Sequence, residues 1–323
     1  MMLKRNAVVH GIVRRAPAIA GICALVLSGC AQAVSVQESE QAAFRIRVVA
    51  DGLDHPWGMA FLPNGGILVT ERVGRLRFIT ADGTLQEKPV RGIPKVRARG
   101  QGGLLDVALH PDFNSNRWVY FSYAGLGKDG VNTEVARARF DGKALSDLQV
   151  IFRAQPKVNV GNNHFGSRLV FDRQGYLFVT LGERYHLRDR AQSVADHLGT
   201  VVRLHDDGRV PADNPFVKRA DAKPEIYSYG HRNAQGMTLR PGSDKIWMHE
   251  HGPRGGHGVK ILTAAANSAW PGIANGYHQS DTPISARTPA PASADPKFYC
   301  RPPPPTPRRA CTCGAPSHPA LRK

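Results

Sequence analysis

The sequence has little cysteine, and none where a folded body would use it. Its five cysteines stand at the two ends: Cys23, Cys30, Cys300, Cys311 and Cys313. Because no cysteine lies between residues 31 and 299, the body is predicted to fold without disulfides, even in a compartment that would permit them. Cys311 and Cys313 are too closely spaced for a usual zinc knuckle and have no partner cluster.

The apolar run at residues 18–27 is too short to span a bilayer as a mature helix. Basic residues precede it, so residues 1–30 are predicted to be a signal peptide. Leu27-Ser28-Gly29-Cys30 is typical of a bacterial lipobox, which would make Cys30 the lipidated first residue, while Ala31-Gln32-Ala33 is a rival cleavage site. Both alternatives predict export, to the periplasm or as a membrane-anchored lipoprotein.

Acidic residues are scarce beside basic ones, and the formal net charge is +17. Such a charge balance is typical of proteins that bind nucleic acid, because clustered Lys and Arg release counterions from phosphate backbones. The distribution argues against that partner. The leader to Ala33 carries +4 and residues 257–323 carry +6, which leaves +7 spread over the body. We therefore predict a solvated basic surface and no nucleic-acid partner.

Helical periodicity is missing as well, and one β-type pattern returns along the body instead. Each copy has alternating apolar residues, a Pro or Asp turn and a second apolar run, as expected of a hairpin. The copies are residues 58–70, 107–121, 169–179 and 237–248. Their turns fall at residues 63, 111, 172 and 241, a spacing typical of propeller blades with unequal loops. The sequence predicts an all-β propeller, with a β-sandwich as the alternative.

Polar motifs stand where these apolar runs begin or end, a placement that lets side chains from several blades converge on one pocket. The motifs are Gly100-Gln101-Gly102-Gly103, Asn163-His164-Phe165-Gly166-Ser167, Gly230-His231-Arg232-Asn233 and Glu250-His251-Gly252-Pro253. From about residue 53 to about residue 299 they resemble, in order, the soluble aldose sugar dehydrogenases that use pyrroloquinoline quinone (PQQ), the glucose/sorbosone dehydrogenase family.

The resemblance implies a six-bladed propeller with PQQ over the channel mouth. It implies that His164 is the general base for the sugar's anomeric hydroxyl, a task that suits a near-neutral imidazole. Arg232 and Asn233 would contact the quinone oxygens and stabilise the charge that accumulates there. Gln101 matches a pocket glutamine that would bind substrate or cofactor. Taken alone, each of these residues also fits an ordinary role in a loop or turn.

Gly252 and Pro253 match the pair whose backbone carbonyls bind the Ca²⁺ that also binds PQQ. Hard cations take oxygen ligands, and a Gly-Pro turn leaves carbonyls free to point inward. The ion would polarise the quinone carbonyl. The family usually continues with an acidic pair and a tyrosine, where this sequence has His257-Gly258 and Ser268-Ala269. A second, structural calcium found in some relatives is therefore predicted to be lost.

The sequence predicts four parts: a signal peptide with lipobox at 1–30, a linker at 31–43, a partial propeller at 44–299 and a Pro/Arg-rich tail at 300–323. About four blades are clear, and residues 267–271 with 295–299 are interpreted as the start of a degraded fifth. After Tyr299 the sole branched aliphatic residue is Leu321, so the tail is predicted to be disordered. A truncated or frameshifted end of a longer gene is favoured over a genuine Pro-rich tail. A propeller that lacks blades cannot close its ring, so this chain is not expected to keep full activity.

Three function classes follow. The first is PQQ-dependent oxidation of aldose sugars at C1 to the lactone, with an external electron acceptor and the membrane involved only through a lipid anchor. The second is a lactonase-type hydrolase, which would need a carboxylate and amide cage that the hairpin starts do not show. The third is a non-catalytic exported binding propeller or an inactive gene product. A nicotinamide cofactor is not expected, since no Gly-x-Gly-x-x-Gly follows a strand and opens a helix.

Overall fold

The structure is a computed structural model that describes residues 36–273, 297–301 and 312–314. The chain divides into two compact units, Met1–Val48 and Val49–Lys323. The signal peptide predicted at residues 1–30 lies outside the described residues. Among the residues that are described, no helix is long and apolar enough to cross a membrane.

The first unit contains a short exposed hairpin. Strand β1 (Val36–Glu38) pairs antiparallel with β2 (Ala43–Arg45), and all residues of both strands are exposed. Ser39 Oγ donates to the Ala42 carbonyl oxygen at 2.9 Å and so closes the turn. The stretch predicted as a linker at residues 31–43 therefore carries local pairing where it is described.

Two antiparallel sheets open the second unit. The first sheet contains, in order, β3 (Pro56–Phe61), β4 (Ile67–Glu71) and β5 (Arg75–Ile79). The second sheet contains, in order, β6 (Leu104–Leu109), β7 (Trp118–Gly127), β8 (Gly130–Phe140) and β9 (Leu145–Arg153). A single helical turn, α1 (Phe113–Asn116), connects β6 to β7. Each strand pairs with the next one in the chain.

Two further sheets follow the same plan. The third sheet contains, in order, β10 (Leu169–Phe171), β11 (Leu177–Thr180), β12 (Thr200–Leu204) and β13 (Ile226–Tyr229). The fourth contains, in order, β14 (Ala234–Leu239), β15 (Ile246–Glu250), β16 (Gly258–Ile261), β17 (Phe298–Arg301) and β18 (Thr312–Gly314). A short 3₁₀ helix at Arg188–Gln192 lies between β11 and β12.

The four hairpins predicted from the sequence are confirmed as β3–β4, β6–β7, β10–β11 and β14–β15. Branched and aromatic residues build the strands, and glycine or Asp turns reverse the chain. In the β3–β4 turn, Gly65 has a φ of +84° and donates its N–H to the Leu62 carbonyl at 2.9 Å. Glycine adopts this left-handed conformation without a Cβ clash. The all-β fold class is likewise confirmed.

The sheets stack through their first strands. Strand β3 contacts β6, β6 contacts β10, and β10 contacts β14. Apolar clusters fill these gaps. One cluster includes Leu68 of the first sheet and Phe121 of the second, and another includes Tyr120 of the second sheet and Leu169 of the third. Successive antiparallel sheets that neighbour one another through their first strands form a β-propeller arrangement.

A hydroxyl bridge recurs at each gap between sheets. The second strand of one sheet donates a hydroxyl hydrogen to a carbonyl oxygen at the first strand of the next. The bridges are Thr70 Oγ1 to Leu105, Ser122 Oγ to Ser167 at 2.6 Å and Thr180 Oγ1 to Ala234 at 2.8 Å. In the fourth sheet, His249 holds the corresponding place on β15, opposite Gly236. The bridges fix the starts of the first strands side by side.

One sequence assignment differs from the structure. The pattern places residues 295–299 at the start of a fifth blade, whereas Phe298–Arg301 pairs with β16 inside the fourth sheet. A strand joins whichever unpaired edge it meets, and a local apolar pattern does not reveal that edge. Thr312–Gly314 adds another strand within the tail predicted at 300–323, and the rest of that tail after Arg301 lies outside the described residues.

Candidate active site

The loop that carries His164 joins β9 to β10 and has a left-handed backbone at several positions. The φ angle is +55° at His164, +63° at Gly161, +61° at Gly166 and +89° at Ser167. A residue with a β-carbon avoids this region, so the surroundings must enforce it at His164 and Ser167. Close packing is part of that restraint. The backbone of Gly182 lies so near the His164 carbonyl that a Cβ at residue 182 would collide with it.

The imidazole of His164 is held by a buried carboxylate. His164 Nδ1 lies 2.8 Å from Glu183 Oε2, and both side chains are buried. The same oxygen accepts the backbone N–H of Tyr185. Because a carboxylate oxygen accepts, Nδ1 is assigned as the donor, and Nε2 keeps its lone pair. The Tyr185 ring packs edge-on against the imidazole, with ring centroids 5.2 Å apart. This is the arrangement of an oriented base.

Two amide side chains hold the backbone of this loop. The side-chain Oε1 of Gln101 accepts the backbone N–H of His164 at 2.8 Å. The backbone N–H of Gln101 donates to the Asn162 carbonyl at 2.8 Å. Buried Asn233 accepts the Gly166 N–H on its Oδ1 at 3.0 Å. The sequence pattern predicts both amides as ligand contacts. In the structure their oxygens also secure the His164 loop on either side of the imidazole.

The guanidinium of Arg232 lies against the loop after β15. Its Nη1 donates to the carbonyl oxygens of His251 and Gly252, both at 3.1 Å, and its Cζ is 5.4 Å from the Trp270 ring centroid. Its Nε is buried and has no hydrogen-bond partner among the residues that the structure describes. A buried donor of this kind costs free energy unless a ligand or water satisfies it. Burial lowers the pKa of Arg232, although a guanidinium still carries its charge at neutral pH.

Glu250 anchors the backbone of Arg232. Its carboxylate accepts the Arg232 N–H and lies 2.9 Å from Lys260 Nζ and 3.3 Å from His231 Nδ1. Burial alone would raise the pKa of Glu250, but these three donors outweigh it and hold the pKa well below its usual range. Burial also lowers the pKa of His231. Glu250 is therefore an anion that fixes the turn preceding β14.

Three imidazoles form a row of ring contacts, and two of them lie near the charge of Arg232. The ring centroids of His249 and His251 are 5.7 Å apart, and those of His251 and His257 are 5.6 Å apart. Burial is the main cause that lowers the pKa of each ring. Neighbouring groups lower it further: Arg168 at His249, the adjacent imidazoles and then Arg232 at His251, and Arg232 at His257. Because the strongest charges around these rings are positive, this wall of the site favours an anionic ligand.

Gly252 and Pro253, the predicted cation ligands, lie in the loop between β15 and β16. The Gly252 carbonyl accepts a hydrogen bond from Arg232, as described above. Within the described part of the chain, no group of three or more His, Cys, Asp or Glu side chains is placed to hold a metal ion. A Ca²⁺ at this loop would therefore depend on carbonyl oxygens, which hard cations accept.

The predicted residues form one connected set in the structure. They are Gln101, His164, Arg232, Asn233, Gly252 and, next to Gly252 in the chain, Pro253. The N–H of Glu183 donates to the Arg232 carbonyl at 3.1 Å and so links the loop of the base to that of the guanidinium. Glu183 was not among the residues predicted from the sequence. It is a lone carboxylate shortly after the buried apolar strand β11, and such a carboxylate does not indicate its partner.

Comparison with known proteins is consistent with this geometry. A model of the Glucose / Sorbosone dehydrogenase family matches residues 53–311. The chain belongs to the glucose/sorbosone dehydrogenase family. The aldose sugar dehydrogenase YliI of Escherichia coli is 47% identical over 234 residues, which are 71% of this chain and 62% of that relative.

Solved structures of related proteins share the propeller fold. The crystal structure of the soluble aldose sugar dehydrogenase from Escherichia coli in the apo-form is 43% identical, with a TM-score of 0.75 over 78% of this chain and 74% of that one. The PQQ-bound form of aldose sugar dehydrogenase from Streptomyces coelicolor is 27% identical, with a TM-score of 0.64 over 78% and 69%. This glucose/sorbosone dehydrogenase chain thus spans about two thirds of the length of such relatives.

Proposed function

We propose that this member of the glucose/sorbosone dehydrogenase family oxidises aldose sugars at C1 to lactones, with PQQ as the hydride acceptor. The observation that carries the proposal is the buried pair of His164 and Glu183, 2.8 Å apart, on a loop joined to that of Arg232. Relatives named aldose sugar dehydrogenase support the substrate class. A PQQ-bound neighbour supports the cofactor.

His164 acts as the base in this proposal. Its Nδ1–H donates to Glu183, which leaves Nε2 to take the proton of the C1 hydroxyl. Glu183 holds the tautomer and stabilises the imidazolium that forms, as an orienting carboxylate does for a catalytic histidine. Gln101 and Asn233 fix the backbone on which the ring is mounted, so the base does not have to be reorganised during the reaction.

The donor set fits an anionic quinone. In the described part of the chain, the buried Nε of Arg232 has no partner, and the Arg232 charge lies near the His251 imidazole. When bound, PQQ supplies an electrophilic carbonyl carbon that receives the hydride from C1. Arg232 would bind the quinone oxygen as negative charge develops on it, and Asn233 would add its amide donor.

Ca²⁺ belongs to the same proposal, on the carbonyl oxygens of Gly252 and Pro253. A carbonyl oxygen has two lone pairs, so the contact with Arg232 leaves one at Gly252 for a cation. The ion would withdraw electron density from the quinone carbonyl. Titration of Ca²⁺ into the chain tests this part separately, with Mg²⁺ as the comparison cation.

The test of the activity is reconstitution of the purified chain with PQQ and Ca²⁺, followed by glucose oxidation with an artificial electron acceptor. We expect turnover only when PQQ is present. His164→Gln should lower kcat by about 10²–10⁴-fold and leave the Kd for PQQ nearly unchanged, because it removes a positioned base. His205→Gln is the matched control, since His205 lies outside the site against Tyr176.

The outcomes separate the function classes. Oxidation that survives removal of PQQ would contradict the cofactor assignment. An unchanged rate in His164→Gln would reduce His164 to a structural role. If the reconstituted chain binds glucose in calorimetry but does not turn it over, the non-catalytic binding propeller is the better description.

A further inference from the structure

Arg184 is completely buried beside the His164 loop, which is unusual for an arginine. Its guanidinium makes three hydrogen bonds to backbone carbonyls. Nε donates to Asn163 at 3.1 Å, Nη1 to Val131 at 2.6 Å and Nη2 to Gly161 at 3.2 Å. Its Cζ also lies 3.8 Å from the ring centroid of Phe165. All of its polar and aromatic contacts with the loop fall within three residues of His164.

The hydrogen-bond partners of this cation are neutral. Burial lowers the pKa of Arg184 to about 10, and Glu183 is the charge that opposes the shift. The Glu183 carboxylate is itself bonded to the His164 imidazole and to the Tyr185 N–H. Burying a charge against neutral partners is costly compared with apolar packing. A side chain kept at such a position is better explained by the geometry that it enforces than by net stabilisation.

The bonds of Arg184 connect two regions. Gly161 and Asn163 belong to the loop just before His164, whereas Val131 belongs to β8 of the second sheet. A planar guanidinium presents its donors in a fixed fork, so it fixes the directions of the carbonyls that it binds. Carbonyl directions define backbone angles. Arg184 therefore restrains the loop in which His164 holds its disfavoured φ of +55°.

We propose that Arg184 is a positioning residue for His164. Glu183 orients the imidazole ring, and Arg184 restrains the backbone that carries it. Two consecutive residues therefore restrain both the side chain and the backbone of the base. Arg184 has no exposed surface with which to bind sugar or cofactor, and it acts through the loop. Its effect on turnover rests on the proposed function, whereas its effect on the rigidity of the loop does not.

The test is Arg184→Lys, which keeps the charge and removes the fork. In the holoenzyme, kcat for glucose should fall about 10–100-fold with KM changed by less than about threefold, because a small displacement of the base affects the reaction more than binding. Hydrogen exchange of the free chain should rise about tenfold or more at the amides of residues 162–167, since local restraint sets local opening. The Kd for PQQ should change little.

The matched control is Arg203→Lys. Arg203 is also a buried arginine that stacks on an aromatic ring, with its Cζ 4.7 Å from the Tyr176 centroid, and it donates to Asn214 Oδ1 at 2.8 Å. It lies on β12, and among the described residues its guanidinium contacts Asn214, Asp213, Tyr176 and Tyr227, none of which belongs to the His164 loop. This variant should lower Tm comparably and leave kcat and exchange at residues 162–167 unchanged.

A second variant keeps the proposal testable if Arg184→Lys does not fold. Phe165→Leu retains Arg184 and removes the ring on which it stacks, so exchange at residues 162–167 should rise in the same segment by a smaller factor. The proposal is overturned if the foldable variant leaves that exchange unchanged, or if Arg203→Lys raises it equally. Increased exchange in a chain that never shows PQQ-dependent turnover would retain Arg184 as the loop restraint and reject the proposed function.

Discussion

The first and third sheets use the same strand positions in opposite ways. On β10, Leu169 is 4% exposed because the second sheet packs against it. On β3, the corresponding Met59 is 60% exposed, and Phe61, the counterpart of Phe171, is 67% exposed. The repeat provides an apolar face on every first strand, but only a preceding sheet buries it. Apolar sequence therefore marks where a neighbour can pack, and the neighbour determines the stability that results.

The largest expected difference tests this comparison directly. Leu169→Ala should lower the free energy of unfolding by about 2–5 kcal/mol, because it opens a cavity between two packed sheets. Met59→Ala should change it by less than about 0.5 kcal/mol, as exposed substitutions usually do. Urea titration of both variants measures the two values. Equal losses would mean that the β3 face is covered in solution.

The first strands also differ in a titratable group, at the position just before the one that Met59 holds on β3. Asp106 in the second sheet is buried, and burial raises its pKa to about 6, against the opposing effect of Arg168, whereas the first sheet has Gly58 there. The folded chain thus keeps this proton up to about pH 6 while the unfolded chain releases it near its ordinary pKa. The contribution of Asp106 is full at low pH and is lost as pH rises through its folded pKa.

We therefore expect the unfolding free energy of the unmodified chain, relative to Asp106→Asn, to fall by on the order of 1–3 kcal/mol between pH 4 and pH 6.5. Denaturant titrations at several pH values in this window measure the difference. Subtracting the variant is necessary because Glu250 and His231, whose pKa values are lowered, change stability in the opposite direction. A difference that does not depend on pH would show that Asp106 is ionised throughout.

The smallest expected effects concern the hydroxyl bridges. Thr180→Val removes the bond to the Ala234 carbonyl and leaves the Arg168 N–H without its acceptor, which should cost about 1–2 kcal/mol. His249→Thr places a hydroxyl at the corresponding position of the fourth sheet and should change stability by less than about 0.5 kcal/mol. Thermal melts of the pair provide the measurement. A large loss in His249→Thr would indicate that the imidazole has a structural partner.

The sequence was informative wherever local rules decide the structure. All four hairpins follow from alternation and turn residues, and the motif around His164 lies, as predicted, just before an apolar run, here β10. The partners that come from elsewhere in the chain were not predictable in this way. Glu183 meets His164 because β11 ends beside the loop, and a lone Glu-Arg pair in the sequence does not indicate that meeting. The Gly166 N–H that Asn233 Oδ1 accepts likewise comes from a distant part of the chain, and the contact of Asn233 with the cofactor stays a prediction.

The hydrogen bond from Arg232 to the Gly252 carbonyl has a consequence for how the site assembles. The carbonyl oxygens after β15 have a positive partner built into the chain, so this turn can reach its shape before any cation arrives. Arg232 is in effect a tethered counterion at a local concentration that no dissolved ion matches. A cation that takes the remaining lone pair at Gly252 binds beside a fixed positive charge, so its affinity must include the repulsion of the guanidinium.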